Sequence, residues 1–327
     1  MRIVFMASGV FAVPTLKFLA SEHHEIPLLV TQPARAAGRG RRTTRTPVAA
    51  VAEQLGLPVV EVDNVNEPDF VQRVREVRAE IGLAIAFGQM LRSDLLDAIP
   101  GGFINLHASL LPKYRGAAPI NWAILGGEER TGCTVFRIDK RMDAGPILMS
   151  RWTQIKPDET AGELHDRLAG IGVDAVSAAL ELFDGGRLPA GTPQDDALSC
   201  PAPKLKKSDG IPSFDRPAKI LARHICGMTP WPGVPARFES QTGRWENVQL
   251  VRARAVEAIP SDRHTEFAIM EPGSIDERRY LVTAEGFLEL LEIKPSSGRI
   301  MAWRDFVNGR QVGVGDRFMA PEAKNKD

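Results

Sequence analysis

FINLHASLLPKYRG, residues 103–116, decides how this chain is read. It opens with a short apolar run that ends in Asn105 and His107, two positions apart. Side chains at i and i+2 of an extended strand project to the same side. The pair therefore sets an amide donor beside a titratable imidazole where a strand gives way to a loop. Further along, IDKRMDAGPIL places Asp143 in a glycine-containing loop between two apolar runs. An oxyanion donor, a proton carrier and a carboxylate that orients and charges the carrier are what acyl transfer to an amine uses.

Outward from this stretch, short apolar runs alternate with amphipathic segments. Residues 3–6, 26–31, 59–62, 83–87, 103–106, 133–138 and 147–155 are predicted strands, and 13–21, 47–55, 68–80, 119–125 and 160–183 predicted helices. On the helix at 68–80, Phe70, Val71, Val74 and Val77 share one face. Strands alternating with helices predict a doubly wound, parallel α/β sheet, whose ligands bind beyond the carboxyl ends of its strands. Asn105 and His107 stand at one such end, and the AFGQML segment with Phe87 and Gly88 at another.

The character changes near Gly185. Residues 189–208 are rich in Pro, Asp, Ser and Lys and read as a basic linker between a domain at 1–188 and a second at 209–327. After a short helix at 217–226, apolar runs at 236–239, 248–255, 267–270, 280–283 and 287–293 are brief and turn-separated, which predicts a small β-barrel or sandwich. A helical turn is expected at 305–308, and disorder over the last residues, PEAKNKD.

Composition narrows the function classes. Of 327 residues, 43% are hydrophobic and 25% charged, with a formal net charge of zero, so only local charge can point to a partner. Cys133, Cys200 and Cys226 are widely spaced, which argues against a disulfide framework or a zinc site. No apolar window approaches the ~18 residues of a membrane span, and the first apolar run is too short for a signal peptide, so a cytoplasmic protein is expected. His23, His24, His165, His224 and His264 lack metal-ligand spacing, so no metal is expected. The G-x-G-x-x-G fingerprint, the P-loop and the G-x-S-x-G elbow are all absent. Arg35, Arg39, Arg41, Arg42 and Arg45 form a loop with no acid anywhere between Glu25 and Glu53, and Gly38 and Gly40 predict that it is mobile. Such a local field suits phosphate. Lys204, Lys206 and Lys207 continue the basic character.

INLHASLLPKYRGAAPINWAI, TGCTVFRIDKRMDAGPIL, TQPARAAGRGRR, PKLKKSDG and MTPWPG together resemble the formyltransferase family, over nearly the whole chain from Arg2 to Arg317. The Arg-rich loop and the second domain narrow the resemblance to the branch that acts on tRNA. One departure is visible: Ala7-Ser8-Gly9 stands where the family usually has a Gly-Thr-Pro turn. The resemblance implies a Rossmann-like, mainly parallel sheet followed by an OB-like β-barrel. It implies transfer of a formyl group from 10-formyltetrahydrofolate to the α-amine of methionine on initiator tRNA, by a protein expected to be monomeric and to use no metal. Asn105 would then donate to the tetrahedral oxyanion, His107 would stabilise it, and Asp143 would help move the proton from the attacking amine to the departing nitrogen. Ser109, Leu110, Leu111 and Pro112 would line the folate site. Phe87, Gly88, Gln89, Met90 and Leu91 would meet the pterin through backbone hydrogen bonds, with the loop from Asp139 closing over it. The five arginines and three lysines would contact tRNA. Arg115 would either steady its loop or meet a phosphate or carboxylate. An amino-sugar nucleotide as acceptor, hydrolysis of the folate, and a tRNA-binding protein with an inactive domain are the alternatives. The Arg-rich loop opposes the first, the basic second domain the second, and the intact Asn105, His107 and Asp143 the third.

Overall fold

The computed structural model describes residues 1–22, 24–37, 42–184, 186–256 and 270–321. The chain forms two compact units: Met1–Pro119 with Arg130–Thr153 and His165–Pro203, and Ile120–Glu129 with Gln154–Leu164 and Lys204–Asp327.

The first unit is built on β1 (Arg2–Ala7), β2 (Glu25–Thr31), a hairpin of β3 (Arg35–Ala37) and β4 (Arg42–Thr44), β5 (Val59–Glu61), β6 (Ile81–Ile85), β7 (Phe103–His107), β8 (Arg115–Gly116), β9 (Arg130–Arg137), β10 (Ile147–Gln154) and β11 (Pro201–Ala202). Seven of these make one sheet in the order β10-β9-β7-β6-β1-β2-β5. Pairing is parallel from β5 through β2, β1 and β6 to β7, and antiparallel between β7 and β9. The expected mainly parallel sheet is therefore present. Its central strands are apolar throughout because helices cover both faces of such sheets; every residue of β6 is buried. Gly82 in β6 has a steric reason: a Cβ there would lie 2.1 Å from the Phe103 ring of the neighbouring strand.

Helices follow their local signals. α1 (Val13–Ser21) and α2 (Pro47–Gln54) each carry proline in the first turn, and the Thr46 side chain caps α2 by accepting the Ala49 N–H at 3.2 Å. α3 (Pro68–Glu76) buries Phe70, Val71 and Val74. It stops before the expected residue 80 because Arg78 takes φ +52°, a left-handed residue that ends the helix and turns the chain into β6. Short α4 (Ser93–Leu96) belongs to the first unit, α5 (Pro119–Gly126) almost wholly to the second, and the long α6 (Ala161–Glu181) starts in the second and continues in the first.

The strand order reverses between β1 and β6, the position where open α/β sheets bind ligands. The departure at Ala7-Ser8-Gly9 falls there and is well tied. The Gly9 N–H donates to the Ala86 carbonyl at 3.2 Å. Ser8 Oγ donates to the Phe87 carbonyl at 3.3 Å and accepts the Gln32 N–H at 3.0 Å.

The stretch expected to be a linker does not run free over 189–203. β11 pairs in parallel with β8, the Arg115 N–H donates to the Cys200 carbonyl at 3.0 Å, and the Ala118 N–H to the Ala202 carbonyl at 3.1 Å. Gly116, at φ +125°, is required by that approach: a Cβ would lie 2.6 Å from the Ala202 oxygen.

The second unit contains α7 (Ala218–Gly227), β12 (Val234–Glu239), β13 (Trp245–Val256), β14 (Leu281–Val282), β15 (Phe287–Pro295), β16 (Met301–Ala302), α8 (Trp303–Arg310) and β17 (Arg317–Met319). Its antiparallel sheet runs β14-β15-β13-β12-β17, with β16 on β15, and curls into the nearly closed, OB-like barrel that was expected. β12 alternates buried and half-buried residues, the period-two signature of a strand with one core face. Phe238 packs edge-on against Phe306 at 5.3 Å and beside Phe318 at 5.3 Å. That cluster extends the expected turn at 305–308 into the whole of α8, because Trp303 and Phe306 are buried on one helix face. Residues 267–269 of an expected strand, and 322–327 at the end, lie outside the described residues.

Within this unit Arg252 donates to Glu163, to Glu292 at 3.1 Å and to the Asp158 carbonyl at 3.0 Å. The Arg252 hydrogen bond, and those from Thr160, lower the Glu163 carboxyl from about 4.5 to about 2. A carboxylate depressed in the folded state stabilises above its unfolded value and loses that contribution as pH falls through the folded one. Glu163→Gln is therefore expected to be less stable than the parent at pH 7, with a gap that closes as pH falls from about 4.5 toward about 2. Parallel thermal melts across that range check it; a gap independent of pH contradicts it.

Candidate active site

β7 carries Asn105 and His107 to one side of the sheet, while Ile104 and Leu106 are buried on the other. In register, Asn105 lies between Ala84 of β6 and Phe136 of β9, and His107 opposite Thr134. Both are thus held by paired strands rather than by a free loop. Asn105 is half-buried, and its amide makes no hydrogen bond with any described residue. His107 is 7% exposed. Its Nε2 lies 2.8 Å from the Tyr114 carbonyl. A carbonyl only accepts, so that contact assigns the Nε2 proton. Nδ1 then faces Asp143, whose Oδ2 is 3.8 Å away, an ion-pair distance longer than a hydrogen bond.

Asp143 sits at φ +50°, a left-handed conformation that a non-glycine residue adopts only when its surroundings hold it. The same Oδ2 accepts the Gly116 N–H at 2.9 Å. The Gln194 amide donates to the carbonyls of Asp143 at 3.0 Å and Gly145 at 2.8 Å. Gly145 is needed for its own reason, since a Cβ there would lie 1.8 Å from the Arg137 oxygen. The three residues named from sequence are therefore brought into one region: Asn105 and His107 by strand alternation, Asp143 by a loop locked onto the segment after β7.

Other expected residues separate into two groups. Leu110 and Pro112 are half-buried beside the site loop, whereas Leu111 is buried. Ser109 is fully buried, and its hydroxyl donates to the Lys113 carbonyl at 2.7 Å, which ties the loop to itself. Phe87 and Leu91 belong to the core, while Gly88 and Met90 are exposed. The Phe87 carbonyl already accepts from Gln32 Nε2 at 2.8 Å. The Gln89 side chain is likewise committed, accepting the Val65 N–H at 3.1 Å and donating to the Val62 carbonyl at 2.9 Å. Asp139 caps its own loop by accepting the Arg141 N–H at 2.8 Å.

The basic groups also divide. Arg39 and Arg41 lie outside the described residues; Arg35 and Arg42 are in the β3–β4 hairpin, Ala37 pairing with Arg42 and Arg35 with Thr44. Arg45, in a loop whose own sequence offers no acid, bonds Glu53 and lies 3.9 Å from Glu61. Helix α2 returns Glu53 to it, and β5 brings Glu61. Lys204, Lys206 and Lys207 are exposed.

Sequence reasoning missed Gln194, Asp196 and Arg141. Arg115 donates to Gln194 Oε1 from Nε at 3.1 Å and from Nη2 at 2.8 Å, and lies 2.9 Å from Asp196. Arg141 bonds the same Asp196 at 2.8 Å. Arg115 first, then Arg141, hold the Asp196 carboxyl below the usual range. Arg115 is thus a structural ion-pair residue of the loop, one of the two roles open to it from sequence. Among the described residues, no group of three or more His, Cys, Asp or Glu is placed to hold a metal ion.

Residues 1–180 match the family described as Formyl transferase, and 204–311 match Formyl transferase, C-terminal domain. The chain is 45% identical over 260 residues to the methionyl-tRNA formyltransferase of Geotalea daltonii, covering 80% of this chain and 82% of that one. It is 38% identical over 325 residues to the methionyl-tRNA formyltransferase of Heliobacterium modesticaldum, covering 97% of this chain and 100% of that one. The chain belongs to the methionyl-tRNA formyltransferase family. Members of the methionyl-tRNA formyltransferase family are transferases, and both parts of the chain match the family's two models. Solved structures agree on the fold. HypX from Aquifex aeolicus in complex with tetrahydrofolic acid superposes with a TM-score of 0.59 at 16% identity, covering 96% of this chain and 48% of that one. The N-formyltransferase from Helicobacter canadensis gives 0.63 at 14%, covering 90% and 98%. At such identities the likeness is one of architecture.

Proposed function

We propose that this protein transfers a formyl group from 10-formyltetrahydrofolate to the α-amino group of methionyl initiator tRNA, as a monomer in the cytoplasm. The single observation that carries the reading is the Asn105 amide, without a hydrogen-bond partner among the described residues, on the same side of β7 as a His107 that faces Asp143. The names of the relatives supply the acceptor.

The residues divide the work as follows. The amine nitrogen attacks the formyl carbon, forming an N–C bond and a tetrahedral oxyanion. Asn105 donates its side-chain N–H to that oxygen. Its strand-held geometry means little reorganisation accompanies the developing charge. The carbon's bond to the folate nitrogen then breaks, and the proton lost by the amine ends on that nitrogen. Asp143 and His107 carry it between the two. The Tyr114 carbonyl fixes the imidazole ring, leaving Nδ1 for the reacting side. Leu110 and Pro112 offer apolar surface to the folate, and the backbone at Gly88 offers polar groups. The second domain at 209–327, Lys204, Lys206 and Lys207, and the Arg-rich loop would hold the tRNA.

The test pairs two acceptors. Purified protein with 10-formyltetrahydrofolate is expected to formylate methionyl initiator tRNA and to leave an amino-sugar nucleotide unmodified. The reverse outcome would overturn the reading while leaving the fold untouched. Neutralising Arg39, Arg41 and Arg42 together is expected to weaken tRNA use. The log–log salt slope should flatten by about 0.9 for each phosphate no longer neutralised. Steady-state formylation between low and moderate salt measures this; an unchanged slope removes the loop from the tRNA surface.

A further inference from the structure

We propose that Gln194 is a positioning residue for the transfer reaction: it sets the loop that carries Asp143, and with it the separation between that carboxylate and His107. The proposal rests on the reading of Asp143 given under Proposed function.

One side-chain amide offers two acceptor sites and two donor hydrogens. Gln194 uses all four. Its Oε1 accepts Arg115 Nε at 3.1 Å and Nη2 at 2.8 Å. Its Nε2 donates to the Asp143 carbonyl at 3.0 Å and the Gly145 carbonyl at 2.8 Å. The partners fix its orientation, because the flipped amide would set hydrogens against a guanidinium and an oxygen against two carbonyls. Arg115 comes from the loop that follows His107, and Asp143 from the loop that follows β9. Gln194 belongs to neither; it lies on the strap whose later residues pair with β8. One half-buried side chain therefore ties the two catalytic loops together. The place it grips is the left-handed residue at φ +50° that other backbone conformations would displace. Arg115 is itself held by Asp196, so the grip is anchored at its far end.

The contact with Asp143 is through the main-chain carbonyl, and the carboxylate stays free for His107 and the Gly116 N–H. Gln194 thus acts through Asp143 and touches no reacting atom. Misplacement of a reacting group by about 1 Å costs on the order of 10²-fold in rate.

The experiment measures kcat and both KM values for formylation of methionyl initiator tRNA in the parent, Gln194→Met, Gln194→Glu, Asp143→Asn and the Gln194→Met/Asp143→Asn double variant. Met keeps the length and bulk of Gln without its polar atoms. Glu keeps the two Arg115 contacts but sets an acceptor against the carbonyls of Asp143 and Gly145. Both single Gln194 variants are expected to lose about 10- to 100-fold in kcat, with each KM within about threefold of the parent. Added to Asp143→Asn, Gln194→Met should cost less than about threefold, because residues that act through one another are not additive. Melting temperatures report whether each variant is folded. Parental kcat in Gln194→Glu would mean that Gln194 serves only to seat Arg115, and overturns the proposal. A full 10- to 100-fold loss on top of Asp143→Asn overturns it as well. Parental kcat in Asp143→Asn itself would overturn the site reading first, a different result from either.

Discussion

Asp143→Asn is expected to fold like the parent and to lose about 10²- to 10⁴-fold in kcat. The substitution is close to isosteric, and asparagine tolerates the left-handed backbone at this position. Its side-chain oxygen can still accept the Gly116 N–H that Asp143 now takes at 2.9 Å. The loop contacts through Gln194 are to main-chain carbonyls and survive unchanged. What disappears is the negative charge 3.8 Å from His107 Nδ1. The substituted amide also cannot receive the amine's proton. Single-turnover rates with a matched melting curve are the measurement. A rate within tenfold of the parent would remove Asp143 from the proton path.

The second large effect is expected for Asn105→Ala, at about 10²- to 10³-fold in kcat, the usual loss when one oxyanion donor is removed. Stability should hardly change. Asn105 stands in a strand paired on both sides, so its backbone is held irrespective of its side chain. Its amide gives up no protein hydrogen bond among the described residues when deleted. tRNA affinity should stay near parental, because the residue bears no charge and adds nothing to the field that draws phosphate. His107→Ala is a less clean experiment. It removes the imidazole that the Tyr114 carbonyl now meets at 2.8 Å, and a lost hydrogen bond of this kind costs on the order of 0.5–1.5 kcal/mol. Asn105→Asp gives the sharper control: it keeps size and shape but replaces a donor by an acceptor, and should be no more active than Asn105→Ala. Rates above that of Asn105→Ala would sink the oxyanion role.

How much of this was legible differs residue by residue. The alternation at Asn105 and His107 was readable because a strand has period two and both residues share one element. Asp143 was readable as a loop acid, and the family resemblance supplied its role. Gln194 carried no local mark. It is a polar residue in a stretch rich in Pro and Asp, and its partners stand 49 to 79 positions away. Ser109 and Gln89 show the opposite case: nothing local marks that folding gives their side-chain polar atoms to nearby backbone groups. The loop sequence shows no acid for Arg45 because its partners lie beyond it, one on a helix and one on a strand that the fold returns to it.

The family resemblance supplied the OB-like barrel and the roles given to Asn105, His107 and Asp143, whereas the amino-acid order alone predicted the repeating strand and helix pattern, the mainly parallel sheet and a small β-barrel or sandwich after it. Those properties follow from side-chain period and type, which are local. Tertiary structure alone decided that 189–203 is a strap rather than a spacer, and which polar side chains are spent internally. It also decided that a left-handed Asp143 faces His107. These depend on which distant backbone groups come to lie within about 3 Å of one another, and hydrogen bonds of that range are set by packing.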